Sequence, residues 1–174
     1  MSDEIDCGSE IQIRRTADGW LLTTQQWVPT AIEEVFDFFA DAGNLELLTP
    51  PWLNFQILTP QPIAMGSGTL IDYRLRLKMV PIRWRTEIKD WNPPHSFVDT
   101  QLRGPYTKWI HTHTFTEVNG GTLCEDHVAY DVPFGWIAHP LLVKRDLTRI
   151  FGYRQQQIAR TFGTSSVETA SAAS

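Results

Sequence analysis

The chain has 174 residues, 42% of them hydrophobic, and 15 Lys and Arg against 20 Asp and Glu give a formal charge of −5. That length and apolar content suit one globular domain with a substantial core and leave no room for a second. An acidic balance without a Lys/Arg run argues against a nucleic-acid partner or an anionic membrane surface.

Residues 1–9 are small, polar and acidic and read as a flexible leader; residues 163–174 read as a flexible tail, which leaves 10–162 as the domain. The leader has no apolar signal region and no apolar run reaches 18 residues, so neither secretion nor a membrane span is expected. Cys7 and Cys124 make no disulfide framework and no CxxC pair, which fits a reducing cytoplasm.

Asp18-Gly19 separates IQIRR from WLLTTQQWV as a candidate hairpin turn, and Pro29 closes the second strand. Thr30 and Glu33 have capping-box spacing ahead of Ile32, Val35, Phe36 and Phe39, which recur at helical intervals. Gly43 stops that helix, and NLELL allows one or two further turns before Pro50-Pro51. The period then changes to two. Ile71, Tyr73, Leu75 and Leu77 alternate with Asp72, Arg74, Arg76 and Lys78, and Ile82, Trp84, Thr86 and Ile88 alternate with Arg83, Arg85, Glu87 and Lys89, which predicts a hairpin turning near Val80-Pro81. After Asn92-Pro93-Pro94, either Phe97/Asp99/Gln101 or Val98/Thr100/Leu102 of the next strand can face inward. Gly104-Pro105 leads into YTKWIHTHTF, and Asn119-Gly120 is the strongest hairpin signal in the chain, because a type I′ turn needs positive φ at both central residues.

The longest helical signal runs from His139 to Phe162, with Pro140 suited to its first turn. Val143, Leu147, Ile150, Phe151, Ile158 and Phe162 share one stripe, and Arg145, Arg149, Gln156 and Arg160 lie opposite. Arg154 interrupts the apolar stripe. A guanidinium there needs a carboxylate, a ligand anion or water. Strands followed by a terminal amphipathic helix predict an α+β fold in which a curved antiparallel sheet of six to seven strands closes over that helix, after two short helices.

A two-residue Asn119-Gly120 turn makes every facing pair sum to 239, so His113 faces Asp126, His111 faces Val128 and Trp109 faces Tyr130. The inner face then carries Trp109, His111, His113, Phe115, Cys124, Asp126, Val128 and Tyr130, toward the helix face with Arg154. Three readings fit these groups. They form a buried structural network; or they are polar anchors in a mostly apolar pocket, with Arg154 meeting an acidic ligand group and Trp109, Tyr130, Tyr73, Trp84, Phe151, His111, His113 and Asp126 as further contacts; or His113, Asp126 and His111 supply acid–base catalysis. His111-x-His113 with Asp126 is a weak metal pattern without further ligands. No metal and no cofactor are expected.

The blocks TAIEEVFDFFADAGNLELLTPPWL, VPIRWRTEIKDWNPP, GPYTKWIHTHTF, GGTLCEDHVAYDVPFG and RDLTRIFGYR together resemble the START-like SRPBCC superfamily, the polyketide cyclase/dehydrase and lipid-transport group, over about Trp20 to Phe162. Within it they look most like a bacterial cell-division-inhibitor-like subfamily. The resemblance implies a helix-grip fold with a hydrophobic cavity between sheet and terminal helix, and a small hydrophobic molecule as partner: lipid-like, polyketide-like or aromatic. It implies a cyclase or dehydratase as the alternative and a protein-interaction module as the third reading. Some relatives are fused to a nucleotide-sugar-epimerase-like domain. No residue pattern supports a role in division.

Overall fold

The computed structural model describes residues 10–134 and 142–163. Eight antiparallel strands form one sheet in the order β1-β2-β8-β7-β6-β5-β4-β3. They are β1 (Gln12–Thr16), β2 (Gly19–Val28), β3 (Gln56–Ile57), β4 (Leu70–Leu77), β5 (Val80–Asn92), β6 (Ser96–Arg103), β7 (Lys108–Val118) and β8 (Gly121–Asp131). Between β2 and β3 the chain forms helix α1 (Ile32–Ala40), a 3-10 turn, the short α2 (Leu45–Leu48) and a second 3-10 turn (Pro51–Leu53). This connection carries the chain from one side of the sheet to the far edge at β3. A meander of hairpins then returns it to β8, which pairs with β2. Helix α3 (Lys144–Phe162) packs across the concave face. The earlier part of the expected 139–162 helix, with Pro140, falls mostly on residues outside those described. The leader, Cys7 and the residues after 163 lie outside them too.

The hairpin at Asn119-Gly120 has the expected register: His113 opposes Asp126, and Trp109 opposes Tyr130. Both turn residues have positive φ, 51° and 75°. Phe115, His113, His111 and Trp109 are buried along β7, as are Cys124, Asp126, Val128 and Tyr130 along β8. Two other turns differ from expectation. The β4–β5 hairpin turns at Lys78-Met79, where both residues have positive φ (48° and 74°) and Leu77 pairs with Val80. The alternation of Leu75 and Leu77 with Ile82 and Trp84 fixes that register, and Pro81 sits within β5 opposite Arg76. The first hairpin turns at Ala17-Asp18, one residue early, because Gly19 pairs with Thr16. With φ +124°, and a Cβ there running into the Tyr130 carbonyl, Gly19 is the residue that lets β1–β2 join β8 closely.

Helix α1 buries the four residues its period marked, Ile32, Val35, Phe36 and Phe39. The capping box is absent. The N-cap is Ala31, without a side-chain cap, and Val35 N–H donates to its carbonyl. Thr30 precedes the cap by one residue, and its own carbonyl accepts from the Thr122 hydroxyl at 2.7 Å. The helix is held by packing instead: Phe36 meets Trp91, Phe97 and Phe115 edge-on at 5.2, 6.1 and 5.7 Å.

Of three apolar clusters among the described residues, two include residues of α3. One gathers α1 with Phe97, Phe115, Cys124 and Ile158; the other gathers Leu22, Leu75, Trp84, Trp109, Val128, Tyr130, Leu147 and Phe151. On β7, β8 and α3 alike, the residues between these clusters are polar: His111 and His113, Asp126, and Arg154. The core is therefore divided by one charged layer.

Candidate functional site

Asp126 is the centre of that layer. Arg154 donates to it through Nε (3.2 Å to Oδ2) and Nη2 (3.3 Å to Oδ1), and the Thr24 hydroxyl reaches Oδ2 at 3.4 Å. His111 Nε2 lies 2.9 Å and His113 Nδ1 3.0 Å from Oδ1. The opposite nitrogens of the two rings meet Asp99: His113 Nε2 at 2.9 Å and His111 Nδ1 at 3.3 Å from the same oxygen, Oδ2. The rings lie 3.8 Å apart between centroids. Each imidazole therefore spans the two carboxylates, and His113 Nδ1 also lies 3.3 Å from Arg154 Nη2.

Asp99 was one of two possible inward residues on β6, and the structure selects its parity: Phe97 is buried, Phe97 opposes His113, and Asp99 opposes His111. Sequence spacing could not select it, because β6 and β7 are joined by a longer loop. Gln101 braces that loop with its side chain, donating to the Tyr106 carbonyl at 2.7 Å and accepting from its N–H at 3.3 Å.

The charges offset one another. Burial would raise both carboxyls, but Arg154 and the two histidines hold Asp126 well below the usual range, and His111 and His113 do the same for Asp99. Burial would lower His111, yet the field of Asp99 and hydrogen bonds donated to both carboxylates raise it. The raised His111 and Arg154 thus set positive charge against the Asp99 and Asp126 carboxylates. Nearby, burial pushes the Cys124 thiol up to about 12. Burial, then the Asp99 charge, keep Tyr73 a phenol.

These shifts predict the pH profile of stability. A depressed carboxyl contributes fully above its unfolded value of about 4 and loses that contribution as pH falls through the folded value. A raised histidine contributes fully below its unfolded value of about 6.5 and loses it as pH rises through the folded value. Denaturant midpoints should therefore be highest between about pH 4 and 6.5 and fall on both sides. A midpoint that climbs from pH 6 to 8 would show that His111 is not held as a cation.

The layer forms part of the wall of a cavity of about 180 Å³ between sheet, α1–α2 and α3. Arg154, His111, His113 and Asp99 line it, with Trp109, Tyr73, Trp84 and Phe151 from the expected set. Asp126 and Tyr130 do not. Asp126 lies beneath the two histidines and Arg154, and Tyr130 is covered by Trp109 and Tyr106, at 6.2 and 6.0 Å between ring centroids. Phe39, Leu53, Phe55, Ile71, Leu75 and Tyr106 join the lining, although the sequence marked none of them as a site residue. Ile71 and Leu75 lay on the inward parity of β4, whereas nothing in the sequence says which core residues border empty space. Thr86 supplies a further polar point: its hydroxyl accepts from Trp84 Nε1 at 3.1 Å and lies 3.2 Å from the Tyr73 hydroxyl.

Among the described residues, Arg154 Nη1 makes no hydrogen bond, while the guanidinium carbon lies 5.1 Å from the centre of the Phe39 ring. The arginine is thus anchored on one edge and offers the other to the cavity. Such an arrangement can hold an anion or a phenolic oxygen, or move a proton between imidazole and a bound molecule.

The fold has many solved counterparts. Protein Ms6760 from Mycobacterium smegmatis superposes with a TM-score of 0.65 at 18% identity over 87% of this chain and 97% of its own. Ginseng major latex-like protein 151 from Panax ginseng gives 0.60 at 9% identity over 82% and 96%. A nucleoside-diphosphate sugar epimerase from Corynebacterium glutamicum gives 0.59 at 24% identity, with 80% of this chain matched by 28% of that one. No curated protein matches in sequence. The eight-stranded curved sheet gripping α3 is the helix-grip fold of these neighbours, and residues 28–157 match the model of the family described as polyketide cyclase / dehydrase and lipid transport. The chain belongs to that family.

Proposed function

We propose that the chain binds a small hydrophobic molecule carrying an acidic or phenolic oxygen, with its apolar body among Tyr73, Trp84, Trp109 and Phe151 and its polar end at Arg154, His111 and His113. The observation that carries this reading is the cavity itself: an aromatic and aliphatic lining with Asp99, His111, His113 and Arg154 grouped together and Asp41 added from the end of α1. Its size narrows the ligand. About 150 Å³ takes a benzene ring and drug-sized sites begin near 300 Å³, so about 180 Å³ suits a molecule of one or two rings better than a diacyl lipid. The family description, which names lipid transport, supports a ligand-binding role. Among the described residues no helix is long and apolar enough to cross a membrane. The buried free thiol of Cys124 supports a cytoplasmic setting. The sequence blocks support the cell-division-inhibitor-like subfamily as the finer assignment.

Native mass spectrometry of protein purified from its own host tests the reading, with one co-purifying small hydrophobe per chain expected. Titration with an aromatic carboxylate and its methyl ester tests the anchor. The carboxylate should bind more tightly by about 1.5–3 kcal/mol, the scale of a hydrogen bond to a charged group. Equal affinities would remove Arg154 from the reading. A second reading, a cyclase or dehydratase, is favoured by the two histidines that line the cavity against carboxylates. Conversion of the co-purified molecule during incubation would support it over simple carriage.

A further inference from the structure

Asp99, His111 and His113 each offer one ligand atom, and these atoms all lie within 4.8 Å of one another. Asp99 Oδ2 stands 2.9 Å from His113 Nε2 and 3.3 Å from His111 Nδ1. With metal–ligand bonds of about 2.0–2.1 Å, neighbouring ligand atoms are separated by about 2.9 Å at right angles and about 3.4 Å at the tetrahedral angle. The two observed separations fall within that range. We propose that Asp99 Oδ2, His111 Nδ1 and His113 Nε2 form a binding site for a divalent first-row transition metal ion, with its remaining positions open to the cavity.

Three further features support the site. The ring nitrogens on the far side, His111 Nε2 and His113 Nδ1, both face Asp126 Oδ1 at 2.9 and 3.0 Å. A carboxylate on the distal nitrogen is the outer-shell partner that fixes the tautomer of a ligating histidine and raises its basicity. Asp126 is in turn fixed by Arg154 and Thr24. The choice between the two carboxylates is also clear. At Asp126 an ion would be forced against the guanidinium, whereas the Asp99 contacts are with the two histidines, and Asp99 lines the cavity.

The donor set of two imidazoles and one carboxylate suits Zn²⁺, Fe²⁺ or Co²⁺ and disfavours Mg²⁺ and Ca²⁺, which prefer all-oxygen shells. This inference goes beyond the ligand reading and does not depend on it.

Chelator-treated full-length protein, titrated with Zn²⁺ by calorimetry and with Co²⁺ by visible absorption, tests the site. One equivalent should bind, with an intense visible Co²⁺ band from a low-coordinate nitrogen–oxygen site. Asp99→Asn should weaken Zn²⁺ binding by a factor of about 100 or more, while His127→Gln, on the outer face, leaves it unchanged. The wild-type Co²⁺ spectrum needs no variant, so a folding defect in Asp99→Asn leaves the test intact. Absence of stoichiometric binding, a pale hexa-aqua-like spectrum, or Zn²⁺ affinity undiminished in a folded Asp99→Asn would overturn the proposal. Titrating the same samples with the aromatic carboxylate separates the two readings, since either can fail alone.

Discussion

Replacing Asp126 by asparagine should destabilise the protein by about 3–5 kcal/mol, the range for breaking a buried ion pair by removing one partner. Asp126 is 8% exposed, and its two oxygens meet Arg154, His111, His113 and Thr24. With the carboxylate gone, Arg154 loses its acidic partner, His111 keeps only Asp99, and the amide nitrogen turns a donor toward other donors. Arg154→Met should cost less, about 1.5–3 kcal/mol, because Asp126 keeps His111 and Thr24. The pair Asp126→Leu/Arg154→Met, which removes both charges into apolar surroundings, should recover part of the loss. Urea unfolding of wild type and the three variants measures each loss and the recovery in the pair. An Asp126→Asn variant within about 1 kcal/mol of wild type would mean that the charged layer does not hold the two apolar clusters together.

That layer shows how far the sequence could be read. Arg154 stood out because it broke an apolar stripe, and Asp126 could be placed because Asn119-Gly120 permits only one register for β7 and β8. The same logic failed at Asp99. A side-chain brace from Gln101, not a two-residue turn, sets the β6–β7 connection, and spacing alone does not determine parity across it. It failed at Lys78-Met79 for a related reason: neither residue type signals positive φ, and Pro81 drew attention to the wrong place. The fold followed from periodicity, which survives such local errors. The cavity did not, because hydrophobic residues that fill a core and those that border empty space have the same pattern. Nor was it visible that Tyr130, inward by parity, is covered by Trp109 and Tyr106.

Phe151→Ala should lower stability by about 3–5 kcal/mol and at the same time make the protein a better receptor for small hydrocarbons. Phe151 is 4% exposed, lines the cavity from α3, and meets the edge of the His111 ring at 5.7 Å. Truncation removes the transfer energy of the ring and enlarges a space that the surrounding sheet cannot fully close, because Trp84 and Trp109 are locked edge to face at 5.4 Å. If the enlarged space stays dry, a one-ring hydrocarbon at a hundred times its Kd should return about 2.7 kcal/mol to the variant and much less to wild type. The charged wall provides the competing outcome. Water drawn in by Arg154 and the histidines would soften the loss below about 2 kcal/mol and leave the hydrocarbon without effect, since it would have to displace bound solvent. Thermal unfolding of both proteins with and without the hydrocarbon distinguishes these cases. A dry, responsive cavity in Phe151→Ala assigns the volume to an apolar ligand body, whereas a wet one assigns it to a polar molecule held by the charged layer.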